Sequence, residues 1–197
     1  GVAGGMSTAT RLRRNDEKRN IIVLEASGHV SFANCGLPYH IGGVIEERQD
    51  LLLQTPEALK ERFNIDVRVN TRATHVDRAA RTVTTESGET IPYDDLVLSP
   101  GATPFLPPIT GIEKAYSLRT VEDVDRIAAA LKGRTRAVII GGGFIGLEMA
   151  ENLRHRDLSV AVVEATPQIM GPLDSEMAAI VTEHLRANGV RSEERRV

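Results

Sequence analysis

The apolar positions of this chain fall into two patterns. Ile21-Ile22-Val23-Leu24 is a short, continuous, β-branched run that ends in the acid Glu25, and Ala137–Ile140 and Leu158–Glu164 have the same character. Runs of this length and composition predict parallel strands buried on both faces. Tyr93–Ser99 predicts one more buried strand, stopped by Pro100-Gly101. By contrast, Asp66–Val69, Thr74–Val76 and Thr82–Thr84 alternate apolar with polar residues. They predict short antiparallel strands, with turns at Asp77–Arg81 and Ser87-Gly88.

Helices are expected between these runs. Ser7–Arg14 leaves an opening glycine loop without proline or internal glycine. Cys35–Ile41 begins a second helix, with Asn34 as N-cap and Gly42-Gly43 as its stop. Pro56–Phe63 follows Thr55 as N-cap, with proline at the first helical position. Val121–Leu131 ends ahead of Gly133, Phe144–His155 follows a second glycine loop, and Asp174 caps a last helix to Asn188 and Gly189. Pro104, Pro107 and Pro108 mark Ala102–Gly111 as a linker.

The predicted class is therefore α/β, with two Rossmann-like dinucleotide-binding units, the first bearing an antiparallel β inset. Residues 1–108 would be the first unit, lacking its opening strand and its returning segment, and residues 109–190 the first part of the second. The charged Arg191-Ser192-Glu193-Glu194-Arg195-Arg196-Val197 continues no earlier pattern and matches what a common short-read sequencing adapter encodes. It is expected to be a non-native tail, with a frayed helix end as the alternative.

Composition narrows the function. The chain has 197 residues, 41% hydrophobic and 26% charged, with a formal charge of -3. That balance offers no basic field for nucleic acid or anionic lipid, and no apolar run is long enough to span a membrane. One cysteine cannot form an internal disulfide, which fits a cytoplasmic protein. The histidines show no ligand-like spacing, and no metal site is expected.

Gly141-Gly142-Gly143-Phe144-Ile145-Gly146 satisfies G-x-G-x-x-G between a strand and a helix. Gly141 suits the tight turn, Gly143 a close backbone approach to pyrophosphate, and Gly146 close packing of helix on strand. The helix N-terminus adds free N–H groups and the positive end of its dipole. Glu164 follows about 20 residues on, where its carboxylate would accept a ribose 2′-OH and repel a 2′-phosphate, favouring NADH over NADPH. A tight turn without a ligand is the alternative. The first loop is partial: Val2 occupies the second glycine position, Ala3 and Gly4 follow, and Gly5 is the third glycine. Glu25, with Ala26 beside it, takes the position of Glu164.

Cys35 lies in Ser31-Phe32-Ala33-Asn34-Cys35-Gly36-Leu37-Pro38-Tyr39. A cysteine at a helix start, beside Asn34 and Gly36, suits a nucleophilic thiolate. An inert core cysteine is the alternative.

This S-F-x-N-C-x-x-P-Y motif, Pro100-Gly101-Ala102 and the two loops resemble the flavin-dependent pyridine nucleotide-disulfide oxidoreductases, from Gly1 to about Val190. His40 stands where the two-cysteine members carry their second cysteine, so the resemblance is to the single-cysteine branch of coenzyme A-disulfide reductases, NADH oxidases and NADH peroxidases. Ala3 stands where the oxidases and peroxidases have histidine, which favours coenzyme A disulfide or a persulfide as acceptor. The resemblance implies FAD held by the first loop, Glu25, Ala26, Asn34, Cys35 and Pro100-Gly101-Ala102. It implies NADH held by Gly141, Gly143, Phe144, Ile145, Gly146, Glu148 and Glu164. Coenzyme A contacts are implied at Ser7, Arg11, Arg14, Ser31 and Asn34, although Arg11 to Arg14 also reads as a solvated helix face, Glu148 as a surface acid and Gly101-Ala102 as a plain turn. The implied reaction passes electrons from NADH through FAD to Cys35 and a small-molecule disulfide, in a homodimer of the complete protein. Two other classes stay open: a thiol-independent flavoprotein of the ferredoxin reductase type and a noncatalytic nucleotide-binding module.

Overall fold

Capped helices and short strands alternate along the chain, and a computed structural model describes residues 1–194. In order the elements are α1 (Val2–Asn15), β1 (Ile22–Leu24), β2 (Ser31–Phe32), α2 (Leu37–Gly42), β3 (Leu52–Gln54), α3 (Pro56–Phe63), β4 (Asp66–Arg68), β5 (Ala73–Asp77), β6 (Thr82–Thr85) and β7 (Thr90–Pro92). They continue with α4 (Val121–Ala130), β8 (Arg136–Ile140), α5 (Phe144–His155), β9 (Ser159–Glu164), α6 (Ser175–Ala187) and β10 (Val190–Glu194). Residues 1–33 and 52–105 form one compact unit; residues 34–51 and those from 106 onward form the other. The segment that carries Cys35 thus folds with the second glycine loop.

The first unit is built on the apolar face of α1. Met6, Ala9, Ile21, Val23, Val30, Leu59 and Ile65 form one buried cluster. Helix α1 starts at Val2, five residues before the expected Ser7. Gly4 and Gly5 are therefore helical, and their lack of side chains brings the helix close to Ser99, whose Oγ would lie 3.3 Å from a Cβ at Gly4. Strand β1 pairs in parallel with β4, Ile22 opposite Asp66 and Leu24 opposite Arg68. This corrects the expected antiparallel pairing of residues 66–69. Alternation reports which face is buried, not the direction of the neighbour, and the long connection through α3 returns the chain parallel. The antiparallel inset is β5-β6-β7, with Val83 between Val76 and Ile91.

The expected strand at Tyr93–Ser99 is absent. Val97 and Leu98 are 53% and 71% exposed. The segment faces β1 across a cavity of about 650 Å³ lined by Gly5, Leu12, Val23, Leu24, Leu96 and Val97. An apolar run becomes a strand only beside a hydrogen-bonding neighbour, and among the described residues none lies alongside it.

Arg13 closes the far end of this unit. It is 7% exposed, and all five of its N–H groups donate to backbone carbonyls. Nε donates to Phe63 at 2.8 Å, Nη1 to Asp16 at 3.1 Å and Glu17 at 2.6 Å, and Nη2 to Arg19 at 2.6 Å and Asn64 at 2.9 Å. These carbonyls lie at or beyond the C-terminal ends of α1 and α3, where a cation meets the negative ends of two helix dipoles.

The second unit is a parallel sheet in the order β10-β9-β8. Val160 and Val162 are buried on the face covered by α5 and α6. Val138 and Ile140, on the other face, are 67% and 47% exposed. Thr120 and Asp123 form a reciprocal capping box that starts α4. Residues 190–194, of which 191–194 belong to the expected tail, pair with β9, Arg191 opposite Ala161 and Glu193 opposite Val163. A crossover through α6 delivers the chain to that edge, and backbone pairing at an edge strand does not require apolar side chains. Residues 195–197 of the expected tail lie outside the described residues.

Candidate functional site

In the second unit the loop after β8 is shaped by its glycines. Gly141 has φ +104°, which only glycine adopts without strain. A Cβ on Gly146 would run into the Gly141 carbonyl oxygen, so the start of α5 sits tight on the turn. A Cβ on Gly143 would meet nothing within 4 Å, leaving open space beside the N-terminus of α5. Phe144 and Ile145 are exposed at the same place, while Glu148 is half-buried one turn later and its carbonyl accepts from Asn152 Nδ2 at 2.8 Å.

Glu164 ends β9 and ties the loop down. Its Oε2 accepts the Gly142 N–H at 2.7 Å, and its Oε1 accepts the Thr166 N–H at 2.8 Å and the Thr166 hydroxyl at 2.9 Å. Burial pushes the Glu164 carboxyl up, but these donors outweigh it and hold the group below its ordinary value.

The first unit repeats this arrangement. Glu25 Oε1 accepts the Ser27 N–H at 2.7 Å and the Ser27 hydroxyl at 2.8 Å. The nitrogen of Gly1, which matches Gly142 in the loop register, lies 3.1 Å from Glu25 Oε2. Burial again raises the carboxyl, and the Ser27 N–H and hydroxyl oppose it. Ala26, like Ala165, is exposed between acid and hydroxyl. Sequence reasoning picked out Glu25 and Glu164 but missed Ser27 and Thr166. The signal that would have found them is the triplet Glu-Ala-Ser/Thr, which occurs at Glu25-Ala26-Ser27 and Glu164-Ala165-Thr166.

Ala3, Ser7, Arg11 and Arg14 are all exposed on α1, at spacings that place them on one stripe of the helix. Val2 is half-buried and has φ +50°, and its N–H donates to the Val30 carbonyl at 2.7 Å. Pro100, Gly101 and Ala102 are exposed, with Gly101 at φ +71°. Ser31 lies in β2 and is half-buried.

Cys35 is a free, exposed thiol. It sits in a 3-10 turn, Asn34–Gly36, ahead of α2 rather than inside its first turn. The N-cap of α2 is Gly36, with no side-chain cap. This corrects the expectation of Asn34 as cap: residues 34–36 form a 3-10 turn, so Asn34 lies inside that turn and the helix starts only at Leu37. Gly36, Leu37 and Pro38 are buried while Asn34 and Cys35 face outward, so the turn presents the sulfur instead of packing it. The segment is anchored by Arg156 Nη1 donating to the Ile41 carbonyl at 3.0 Å. Arg48 holds Asp125 through a two-pronged pair at 2.7 and 2.8 Å. Among the described residues no cluster of His, Cys, Asp or Glu could hold a metal ion, and no helix is long and apolar enough to cross a membrane.

Comparison with known proteins gives these features a context. The chain is 35% identical over 198 residues to a protein named NADH oxidase from Methanocaldococcus jannaschii, covering 96% of this chain and 44% of that one. It is 34% identical over 193 residues to a coenzyme A disulfide reductase from Staphylococcus haemolyticus, covering 93% of this chain and 43% of the relative. The chain thus spans less than half the length of these curated relatives. Among solved structures, reduced Bacillus anthracis CoADR-RHD superposes with TM-score 0.94 at 49% identity, over 98% of this chain and 37% of that one. A NAD-dependent persulfide reductase from A. fulgidus also gives TM-score 0.94, at 39% identity, over 98% of this chain and 38% of that one. The family model described as pyridine nucleotide-disulphide oxidoreductase matches residues 1–196, and the chain belongs to that family of redox enzymes.

Proposed function

We propose that the complete protein is an FAD-dependent reductase that takes electrons from NADH and delivers them, through Cys35, to coenzyme A disulfide or a related persulfide. The observation that carries this reading is the repeat: two glycine loops, each followed by a strand whose terminal glutamate is held by the hydroxyl two residues on. Two such loops suit two dinucleotides. The open space at Gly143 and the free N-terminus of α5 suit the pyrophosphate of NADH, with Glu164 toward its adenosine ribose. Gly1–Gly5, Glu25 and Ala26 suit the corresponding part of FAD. When bound, FAD supplies the two-electron carrier between nicotinamide and sulfur.

The chain's own residues do the sulfur chemistry. The exposed Cys35 thiolate attacks one sulfur of the substrate disulfide. A Cys35–sulfur bond forms, the substrate S–S bond breaks, and one thiolate leaves. Two electrons, originating in NADH, then cleave the new disulfide, release the second thiolate and restore Cys35. Ser7, Arg11 and Arg14 form a polar, cationic stripe on α1 suited to the phosphates of coenzyme A. Ala3 offers no titratable group for peroxide chemistry.

The test is an acceptor panel on the complete protein, following NADH oxidation with coenzyme A disulfide, a persulfide, oxygen and peroxide, on wild type and Cys35→Ser. The expected result is turnover with the disulfide or persulfide, lost in Cys35→Ser, with NADH binding retained. Turnover that survives in Cys35→Ser would place the protein among thiol-independent reductases, and rapid turnover with oxygen alone would make it an oxidase.

A further inference from the structure

We propose that Thr166 is a positioning residue for the nucleotide: its hydroxyl holds Glu164 so that one carboxylate both closes the glycine loop at Gly142 and faces an unphosphorylated ribose. This inference rests on the reading of the second loop as an NADH site and adds a residue to it.

Thr166 Oγ1 lies 2.9 Å from Glu164 Oε1 and 2.8 Å from the Gln168 carbonyl, so its single proton is within reach of both. The Thr166 N–H reaches the same Oε1 at 2.8 Å. With the Thr166 N–H and the shared hydroxyl proton both within reach of Oε1, rotation of the carboxylate is restrained, and Oε2 stays directed at the Gly142 N–H, 2.7 Å away. Each carboxylate oxygen can accept more than one hydrogen bond, so acceptor capacity remains for a ribose diol. Glu164 is then two things at once: a latch on the loop that cradles the pyrophosphate and an acceptor for the sugar.

The second observation is independent of the first. In the other unit Ser27 repeats the arrangement, with its hydroxyl 2.8 Å from Glu25 Oε1 and 3.3 Å from the His29 carbonyl. The sequences around the two triplets differ, as do the loops behind them, yet in both a hydroxyl two residues after the acid bridges the carboxylate and a carbonyl two residues further on. A hydroxyl serving only a local turn would not need to find the carboxylate both times. Serine and threonine share a hydroxyl, which valine and alanine lack.

The test removes the hydroxyl and keeps the backbone donor. Thr166→Val, Thr166→Ala and Thr166→Ser are made in the complete protein, and binding of NADH and of its adenosine-2′-deoxy analogue is titrated without any acceptor. Amide hydrogen exchange at Gly142 is measured on the nucleotide-free protein. Thr166→Val is expected to weaken NADH binding about tenfold, the worth of one hydrogen bond to a carboxylate at a partly exposed site. The wild-type preference for NADH over the deoxy analogue should shrink, because the acceptor for the 2′-OH is no longer held. Exchange at Gly142 should quicken. Thr166→Ser should return affinity to within about twofold of wild type, and Thr166→Ala should behave like Thr166→Val, which covers a failure of the valine variant to fold. Equal losses for NADH and the deoxy analogue, or unchanged affinity, would overturn the proposal. Should the wild type bind no NADH, the nucleotide reading of the loop fails, while exchange at Gly142 still decides whether Thr166 holds the latch.

Discussion

Arg13 makes a demanding test of how the first unit is held together. Its guanidinium is buried, and its five N–H groups meet five backbone carbonyls at 2.6 to 3.1 Å. Replacing it with methionine keeps the length and apolar stem and removes every donor. Hydrogen bonds from a charged donor are worth about 1.5–3 kcal/mol each when both groups are buried. A simple sum would overstate the loss. Asp16, Glu17, Arg19 and Asn64 are exposed residues, so water can replace much of what the guanidinium gives their carbonyls. The Phe63 carbonyl, on a half-buried residue at the end of α3, is the acceptor left without a ready substitute. Arg13→Met is therefore expected to destabilise the protein by about 2–4 kcal/mol.

Lysine separates charge from geometry. Its ammonium keeps the cation at the two helix C-termini but has three donors and no planar fork. It can satisfy at most three of the five carbonyls, so Arg13→Lys should lose about half as much, roughly 1–2 kcal/mol. Urea unfolding of the complete protein, with amide exchange at Asn64 and Ile65 as the local probe, reads both variants. A lysine variant as stable as wild type would mean that charge at the helix ends, not the five-point geometry, is what matters. A methionine variant as stable as wild type would refute the role altogether.

Two further outcomes follow from the glycine loop and its acid. Gly143→Ala places a methyl group in open space, so the melting temperature should hold while NADH affinity falls at least tenfold by obstruction of the pyrophosphate (about 1.4 kcal/mol); Gly146→Ala meets the Gly141 carbonyl and should instead lower stability by about 1–3 kcal/mol. The reverse ranking in melting and titration would show that the open space at Gly143 is not the phosphate site. Glu164 is held below the ordinary glutamate value of 4.5, so the stability it adds is present above about pH 4.5 and is lost as pH falls through its lower folded value. Melting temperature against pH should show a smaller acid-side loss in Glu164→Gln than in wild type, and parallel curves would remove Glu164 from the account.

What could be read directly from the chain was information held within three or four residues. Thr55 Oγ1 accepts the Ala58 N–H at 3.2 Å, and Gly43 ends α2 in the left-handed region at φ +85°. Caps and turns of this kind are local chemistry, and so is the turn at Gly141. Three misreadings have the opposite property. The direction of β4 depends on β1, more than 40 residues earlier. The failure of Tyr93–Ser99 to form a strand depends on what lies beside it. Arg13 looked like its solvated neighbours Arg11 and Arg14 because nothing near it in the chain announces that the carbonyls of Phe63 and Asn64 fold back onto it.

The clamp residues lie between these extremes, and that bears on whether the first loop is a working site or inherited scaffold. The triplets are local, but their meaning appears only when the two units are compared. Around them much has diverged. The first unit has an antiparallel inset and Val2 in place of the second glycine; the second has neither. A loop kept only as scaffold needs its helix packed and its turn closed, which Gly5 and the Val2 bond to Val30 already provide. It has no need of a carboxylate pinned at 2.7 and 2.8 Å by one residue and aimed at the loop. Burying that carboxylate carries a desolvation penalty, which a scaffold would shed by exchanging Glu25 for an uncharged side chain. Its presence in the same pose as Glu164 is what a ribose acceptor in each unit would require, in keeping with the proposed pair of nucleotides.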